Sequence, residues 1–248
     1  MGEVCVGLDI SVDPAKTFVA VTEWGHSGVV VTEVRGGCDD DTVVDYAARG
    51  LMGIDCALGW PDAFVDFVAH AQRGLEHPIR ASDAASWRRG LSLRHTDEFV
   101  VEATGQRPLS VSTDRLGVVA MRAASLLAQL RASGVPIVKD GTDPRVVEVY
   151  PAAALRVWSI ECTGYKKSAA IRSRIVETLE RELPGLEWGP DVRGWCIEVD
   201  HALDALIAAL VTRAVAVGAY LKPPPGLEAH ARREGWIAIP TVALAELS

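Results

Sequence analysis

The sequence predicts a single α/β domain over residues 1–248, with a five-stranded mixed sheet flanked by helices. It places a mostly helical insertion at 61–134 and a C-terminal extension at 222–248. Three observations carry this expectation. Short apolar runs separated by Pro and Gly turns fill the N-terminal segment, the pattern of a hairpin meander. A helical stretch and a further apolar run, LMGIDCAL, follow, and a strand reached through a helix can lie parallel to the first. Helical periodicity then dominates, broken once by the strand-like RVVEVYP. At 248 residues and 49% apolar composition, the chain can bury a sizeable core.

Taken in order, residues 4–10, 17–24 and 28–35 are the first three strands, with turns at Pro14 and at 24–28. Connections this short make them antiparallel neighbours. Residues 39–41, all Asp, offer an N-cap and an acidic first turn for a helix ending near Gly50. Residues 51–58 form the fourth strand, closed by Gly59-Trp60-Pro61. Between 114 and 132, Leu116, Val119, Leu126, Leu127 and Leu130 share a helical face. The fifth strand is 146–150, after a short extended piece at 137–138. Helices follow at 151–158, 168–183 and 200–221, the last ended by the Pro-Pro-Pro-Gly run at 223–226. The first, fourth and fifth strands are expected to be parallel.

The acids within this frame carry the chemistry. Asp9 ends the first strand, Asp55 lies inside the apolar fourth, and Glu148 lies in the fifth. Asp200 and Asp204 open DHALDALIAAL, where a spacing of four puts both on one helical face. A carboxylate in a buried strand costs several kcal/mol unless it is paired, protonated or metal-bound. Converging carboxylates raise one another's proton affinity, and a hard divalent cation relieves that conflict. Each acid also has a plain structural reading. Asp9 fits a turn at 11–14, Asp200 a helix N-cap, and Glu148 a solvent-facing edge position. Asp204 is flanked by Ala202, Leu203, Ala205 and Leu206, and Asp55 by apolar residues, so both fit such readings poorly.

An acid on the first strand, one on the fourth and a late helix reading D-x-x-x-D-A-L resemble the ribonuclease H-like fold, and that helix resembles the last catalytic helix of RuvC-type resolvases. GLDIS, GIDCALGWP, LRHTDEF, VEVYPAA, YKKS, DHALDALIAA and EGWIAIP together, in that order, resemble domain of unknown function 429, a family of predicted ribonuclease H-like nucleases. The resemblance implies a divalent-metal-dependent phosphodiesterase acting on DNA or RNA. Asp9, Asp55, Glu148, Asp200 and Asp204 become its catalytic acids, and Asp9, Asp55, Glu148 and Asp204 the ligands of one or two Mg²⁺ or Mn²⁺ ions. Whether Asp200 or Asp204 is the late-helix ligand stays open. Ribonuclease H has a Glu on its first helix where this chain offers only Asp45, so the comparison leans toward the resolvase branch.

Lys166 and Lys167 stand just before a helix, where positive charge opposes the helix dipole, and they suit a phosphate. The other reading is two solvated loop lysines. Arg94, Thr96 and Asp97 are expected to line the site, or Asp97 simply to cap its helix. Trp60 could stack a base or sugar, or pack at a strand–helix corner. The six histidines show no metal-ligand spacing and are expected to be incidental.

A net charge of −8 excludes a generalised nucleic-acid coat but not a local basic groove. Five scattered cysteines without a CxxC pair fit reduced thiols and cytoplasmic residence. No membrane association is expected, because Arg213 interrupts the most apolar stretch. The oligomeric state is left open, a homodimer included. Two competing functions remain: a non-catalytic ribonuclease H-like binding or scaffold domain with a relict acidic site, and an actin- or sugar-kinase-like ATPase. The ATPase reading lacks a second GLDIS-like strand. A haloacid-dehalogenase-type phosphatase fails because Ile10 and Ser11, not x-D, follow Asp9.

Overall fold

Strand β1 (Glu3–Asp9) pairs antiparallel with β2 (Phe18–Gly25), which pairs antiparallel with β3 (Gly28–Gly36). The computed structural model describes residues 3–26, 28–75, 82–112, 114–140, 142 and 145–247. Ser27 of the hairpin turn and His77 lie outside the described residues. Helix α1 (Asp40–Ala47) starts where Asp39 accepts a hydrogen bond from the Thr42 N–H at 2.9 Å, the N-cap the acidic run predicts. It leads into β4 (Leu51–Ile54), parallel to β1 with Gly7 opposite Gly53 and Leu8 opposite Ile54.

Among the described residues, four helices follow: α2 (Asp62–Gln72), α3 (Ala84–Ser92), α4 (His95–Thr104) and α5 (Asp114–Ala132). Strand β5 (Val146–Val149) lies parallel to β4. Then come α6 (Pro151–Val157), α7 (Ala169–Glu182), β6 (Glu187–Trp188), α8 (Val192–Glu198), α9 (Asp200–Ala216), α10 (Glu228–Glu234) and β7 (Ile237–Ala238). The sheet is one open layer in the order β6-β3-β2-β1-β4-β5-β7.

It therefore has seven strands rather than the expected five. The added edge strands, β6 and β7, are two residues each, too short to show a period-2 pattern. The fourth strand ends at Ile54 instead of running to 58, because the Cys56 N–H turns back onto the Ile54 carbonyl at 2.9 Å. Residues 137–138 form no strand, and α9 ends at Ala216 rather than Leu221. The segment after 222 is not an appendage: β7 pairs with β5, and Trp236 is fully buried.

A core lies on each face of the sheet. On one, α9 packs with α6, α7 and α8 over Cys5, Ala20, Val147 and Val149. On the other, α1 and α5 cover Val6, Leu8, Met52, Ile54 and Val146. Apolar nearly all round, α9 is buried for most of its length. It reaches the sheet through two glycines. A Cβ on Gly7 would stand 2.0 Å from the Ala205 carbonyl oxygen, and one on Gly53 would stand 2.2 Å from Thr212 Oγ1. All five cysteines are free thiols. Among the described residues, no helix is long and apolar enough to cross a membrane.

Candidate metal and active site

Asp9 is the last residue of β1, and Asp55 is the first after β4. Their strands are parallel neighbours, and the Asp55 N–H donates to the Leu8 carbonyl at 2.8 Å, so both acids emerge at one sheet edge. Alternation sends Asp9 to the same face as Cys5 and Gly7, the face that α9 covers. From α9, Asp204 meets them fully buried.

Its Oδ1 accepts a hydrogen bond from the Tyr165 hydroxyl at 2.6 Å. Its buried Oδ2 forms an ion pair with Lys166 Nζ at 2.8 Å. One turn earlier on α9, His201 Nδ1 lies 2.7 Å from Asp9 Oδ2, its ring stacked on Phe18 at 6.0 Å between centroids.

The electrostatics follow from burial and mutual repulsion. Desolvation is the largest influence on Asp9; Asp204 adds to it and the His201 hydrogen bond offsets part, leaving the carboxyl at about 6. Desolvation, then the charges of Asp9 and Asp204, push Asp55 well above the usual carboxylate range. Hydrogen bonding to Asp9 raises His201. Partial burial would lower Lys166, but Asp204, with Asp55 and Asp9 behind it, outweighs this and raises it. Tyr165 is held firmly protonated by burial beside Asp204.

Of the remaining acids, Glu148 shares a cavity wall with Asp55 and its charge adds to the rise of Asp55, but its carboxylate is committed elsewhere. Glu148 alternates to the opposite face, since Val147 and Val149 pack on the α9 side and Val146 on the other. Both its oxygens are engaged: Oε1 with Arg94 at 2.6 Å, Oε2 with Arg94 at 2.8 Å and with the Leu58 N–H at 3.0 Å. Asp200 is the first residue of α9, not its N-cap, which is Val199. Of the two late-helix acids, the charge of Asp204 alone is among the main influences on Asp9 and Asp55. Asp45 is exposed on α1.

Arg94, Thr96 and Asp97 divide their roles. Arg94 is buried and lines the cavity, its guanidinium also held by Asp97 at 2.8 Å and by the Glu234 carbonyl at 3.0 Å. Asp97 accepts a hydrogen bond from the Arg94 N–H at 2.9 Å at the start of α4, the helix-capping alternative. Thr96 accepts from the Ile237 N–H at 2.8 Å and so anchors β7. These two are fully buried and structural. Trp60 packs against the α1–α5 core, and Lys167 is exposed beside a second, more open cavity.

A cavity of about 360 Å³ opens at this sheet edge, walled by Asp55, Arg94, Glu148, Tyr150, Tyr165 and Lys166. Three acids brought to one end of the sheet, two of them with raised proton affinity, suit a hard divalent cation. Mg²⁺ or Mn²⁺ would be held by Asp9, Asp55 and Asp204.

The histidines correct the expectation that they are incidental. His201 grips Asp9, and a signal for it exists in the sequence, since it lies three residues before Asp204 on the same helix. Tyr165 opens the YKKS motif, but nothing in that motif marks its hydroxyl as a partner of Asp204. Among the described residues, His95, His230 and Glu234 also bring ligand atoms within 4.8 Å of one another. The carboxylates of Asp9, Asp55 and Asp204 form no group that tight.

No curated protein and no solved structure matches the chain. A family model does, over residues 7–229, a span holding Asp9, Asp55, Glu148, Lys166 and Asp204. The chain therefore belongs to the family described as protein of unknown function, DUF429.

Proposed function

We propose that this protein is a divalent-metal-dependent nuclease of ribonuclease H-like fold, hydrolysing phosphodiester bonds in DNA or RNA. The fold reading is supported by the central strand order β3-β2-β1-β4-β5, with an antiparallel meander, two further parallel strands and acids at the ends of β1 and β4. The functional reading rests on one observation above all: buried Asp204, ion-paired through Oδ2 to Lys166 at 2.8 Å, stands with two carboxyls whose proton affinity is raised. Three such groups are costly without a cation and useful with one.

Each residue of the chain then has a part. Asp9, Asp55 and Asp204 hold Mg²⁺ or Mn²⁺, which when bound supplies Lewis-acid polarisation and an acidified water. The Tyr165 hydroxyl fixes the orientation of Asp204, and His201 that of Asp9. Lys166, half-exposed at the cavity mouth, offers its ammonium to a phosphate. Arg94 is saturated by Glu148 and Asp97, so it shapes the wall rather than binding substrate.

The test is cleavage of duplex, single-stranded, hybrid and branched substrates with Mg²⁺ or Mn²⁺. Asp55→Asn is expected to abolish it while keeping the fold. The Lys166–Asp204 ion pair also supports a second reading, a non-catalytic domain in which the ammonium takes the cation's place. In that case no substrate is cut, and calorimetry finds no Asp55-dependent Mn²⁺ binding.

A further inference from the structure

We propose that His95, His230 and Glu234 form a separate metal centre for a borderline first-row transition ion of the Zn²⁺ class. The site lies where α10 meets the N-termini of α2 and α4, apart from the aspartate cluster. It is independent of the nuclease reading.

Folding assembles these groups from distant segments. Glu234 is the last residue of α10, and its side chain is 2% exposed. Its Oε1 accepts from the Asp62 N–H and its Oε2 from the His95 N–H, each at 2.9 Å. Those are the first residues of α2 and α4, so one carboxylate fastens two helix starts. Each oxygen keeps a lone pair beyond the backbone bond.

The histidines turn toward those lone pairs. His95 Nδ1 lies 3.0 Å from Oε2, and His230 Nδ1 lies 3.9 Å from Oε1. The rings stack with centroids 3.9 Å apart and planes 27° apart, so one ring would tilt for both Nδ1 lone pairs to meet at one ion. Asp62 Oδ2, 2.8 Å from His230 Nδ1, is a fourth oxygen in reach.

The spacing suits coordination. Zn–N and Zn–O bonds of about 2.0–2.1 Å in a tetrahedron put neighbouring ligand atoms roughly 3.3 Å apart. The spans from Glu234 to the two histidines, 3.0 and 3.9 Å, bracket that value. Imidazole nitrogen with carboxylate oxygen favours Zn²⁺ and its neighbours over Mg²⁺. An ion would replace the protons that now bridge imidazole and carboxylate. It can arrive through a cavity of about 610 Å³ lined by Trp60, Asp62, Lys139, His230 and Arg233. Arg233 in that wall pairs with Asp62 at 2.6 Å, and its guanidinium also lies 3.5 Å from His230 Nδ1, so it would move aside for an ion.

The consequence is a cross-link. The ion would lock α10 to the insertion helices, directly behind the Glu234 carbonyl that holds Arg94.

The experiment takes the full chain stripped with chelator and titrates Zn²⁺ by calorimetry and Co²⁺ by its visible absorption. With excess Mg²⁺ present to occupy the aspartate site, we expect one Zn²⁺ or Co²⁺ per chain, retained in Asp55→Asn and lost in the His95→Ala/His230→Ala double variant. Zn²⁺ at about 100 times its dissociation constant should raise the melting temperature by roughly 5–10 °C. If the double variant does not fold, His230→Ala alone, at a half-exposed position, should weaken Zn²⁺ binding by about 100-fold or more. No stoichiometric binding, binding that survives removal of both imidazoles, or binding lost in Asp55→Asn overturns the proposal. Failure of the nuclease reading leaves the wild-type Zn²⁺ isotherm unchanged, so the two results separate.

Discussion

Asp55 is held among apolar neighbours and like charges, so the metal-free protein bears a cost that a neutral side chain would not. We expect Asp55→Asn to stabilise the metal-free chain by about 0.5–2 kcal/mol in urea unfolding, as neutralising functional charges commonly does. The sign with pH is fixed by the direction of the shifts. Asp9, lifted to about 6, holds its proton more tightly folded than unfolded. Its stabilising contribution is complete below about pH 4 and is lost as pH rises through about 6. Asp55 shifts in the same direction. Wild type should therefore fall behind Asp55→Asn as pH climbs from about 4 to 7, and Mn²⁺ should close the gap in wild type alone. A gap unchanged across that range would mean that the carboxylates are not in conflict. The residue-scale signal was legible in LMGIDCALGW, where an acid interrupts an apolar run. The role of Tyr165 was not, although it opens YKKS, because nothing local says that its hydroxyl donates to a residue 39 positions away.

At the scale of elements, the two G-x-D triplets, Gly7-Leu8-Asp9 and Gly53-Ile54-Asp55, explain why α9 can deliver Asp204. The glycines are register partners, and both face the α9 backbone. A Cβ on Gly7 would also stand 2.3 Å from the Ala209 nitrogen, and backbone cannot step aside as a side chain can. Gly7→Ala should cost about 3 kcal/mol or more, the upper end of overpacking, read as a lowered urea midpoint. Gly53→Ala meets a side-chain atom first, Thr212 Oγ1, so adding Thr212→Ala should recover part of its loss. Equal, additive losses at both positions would refute this account. The strand-and-helix order could be read from apolar periodicity, but the face of each acid depends on register. That is why the sequence alone does not say that Glu148, only three residues into β5, meets Arg94 on the face away from α9 while still sharing a cavity wall with Asp55.

For the whole molecule, a long-range polar network joins segments whose connection the sequence does not advertise. Arg94 reaches Glu148 across 54 residues and the Glu234 carbonyl across 140. Thr96 holds the Ile237 N–H, and Ile237 walls the cavity beside Asp55. LRHTDEF and EGWIAIP stood out as motifs, yet their meaning lies in each other: one presents a buried cation, the other the carbonyl and strand that complete its cage. The C-terminal segment thus belongs to the cavity wall. Trp236→Ala empties a fully buried site and should cost about 3–5 kcal/mol. Arg94→Met should cost a similar amount, because Glu148 would be left buried with only the Leu58 N–H as partner. Converting Glu148 to Gln in the same chain removes the orphaned charge, so the double variant should be more stable than Arg94→Met alone. A double variant no better than the single one would show that the guanidinium acts through its contacts with Asp97 and the Glu234 carbonyl, with Glu148 a bystander.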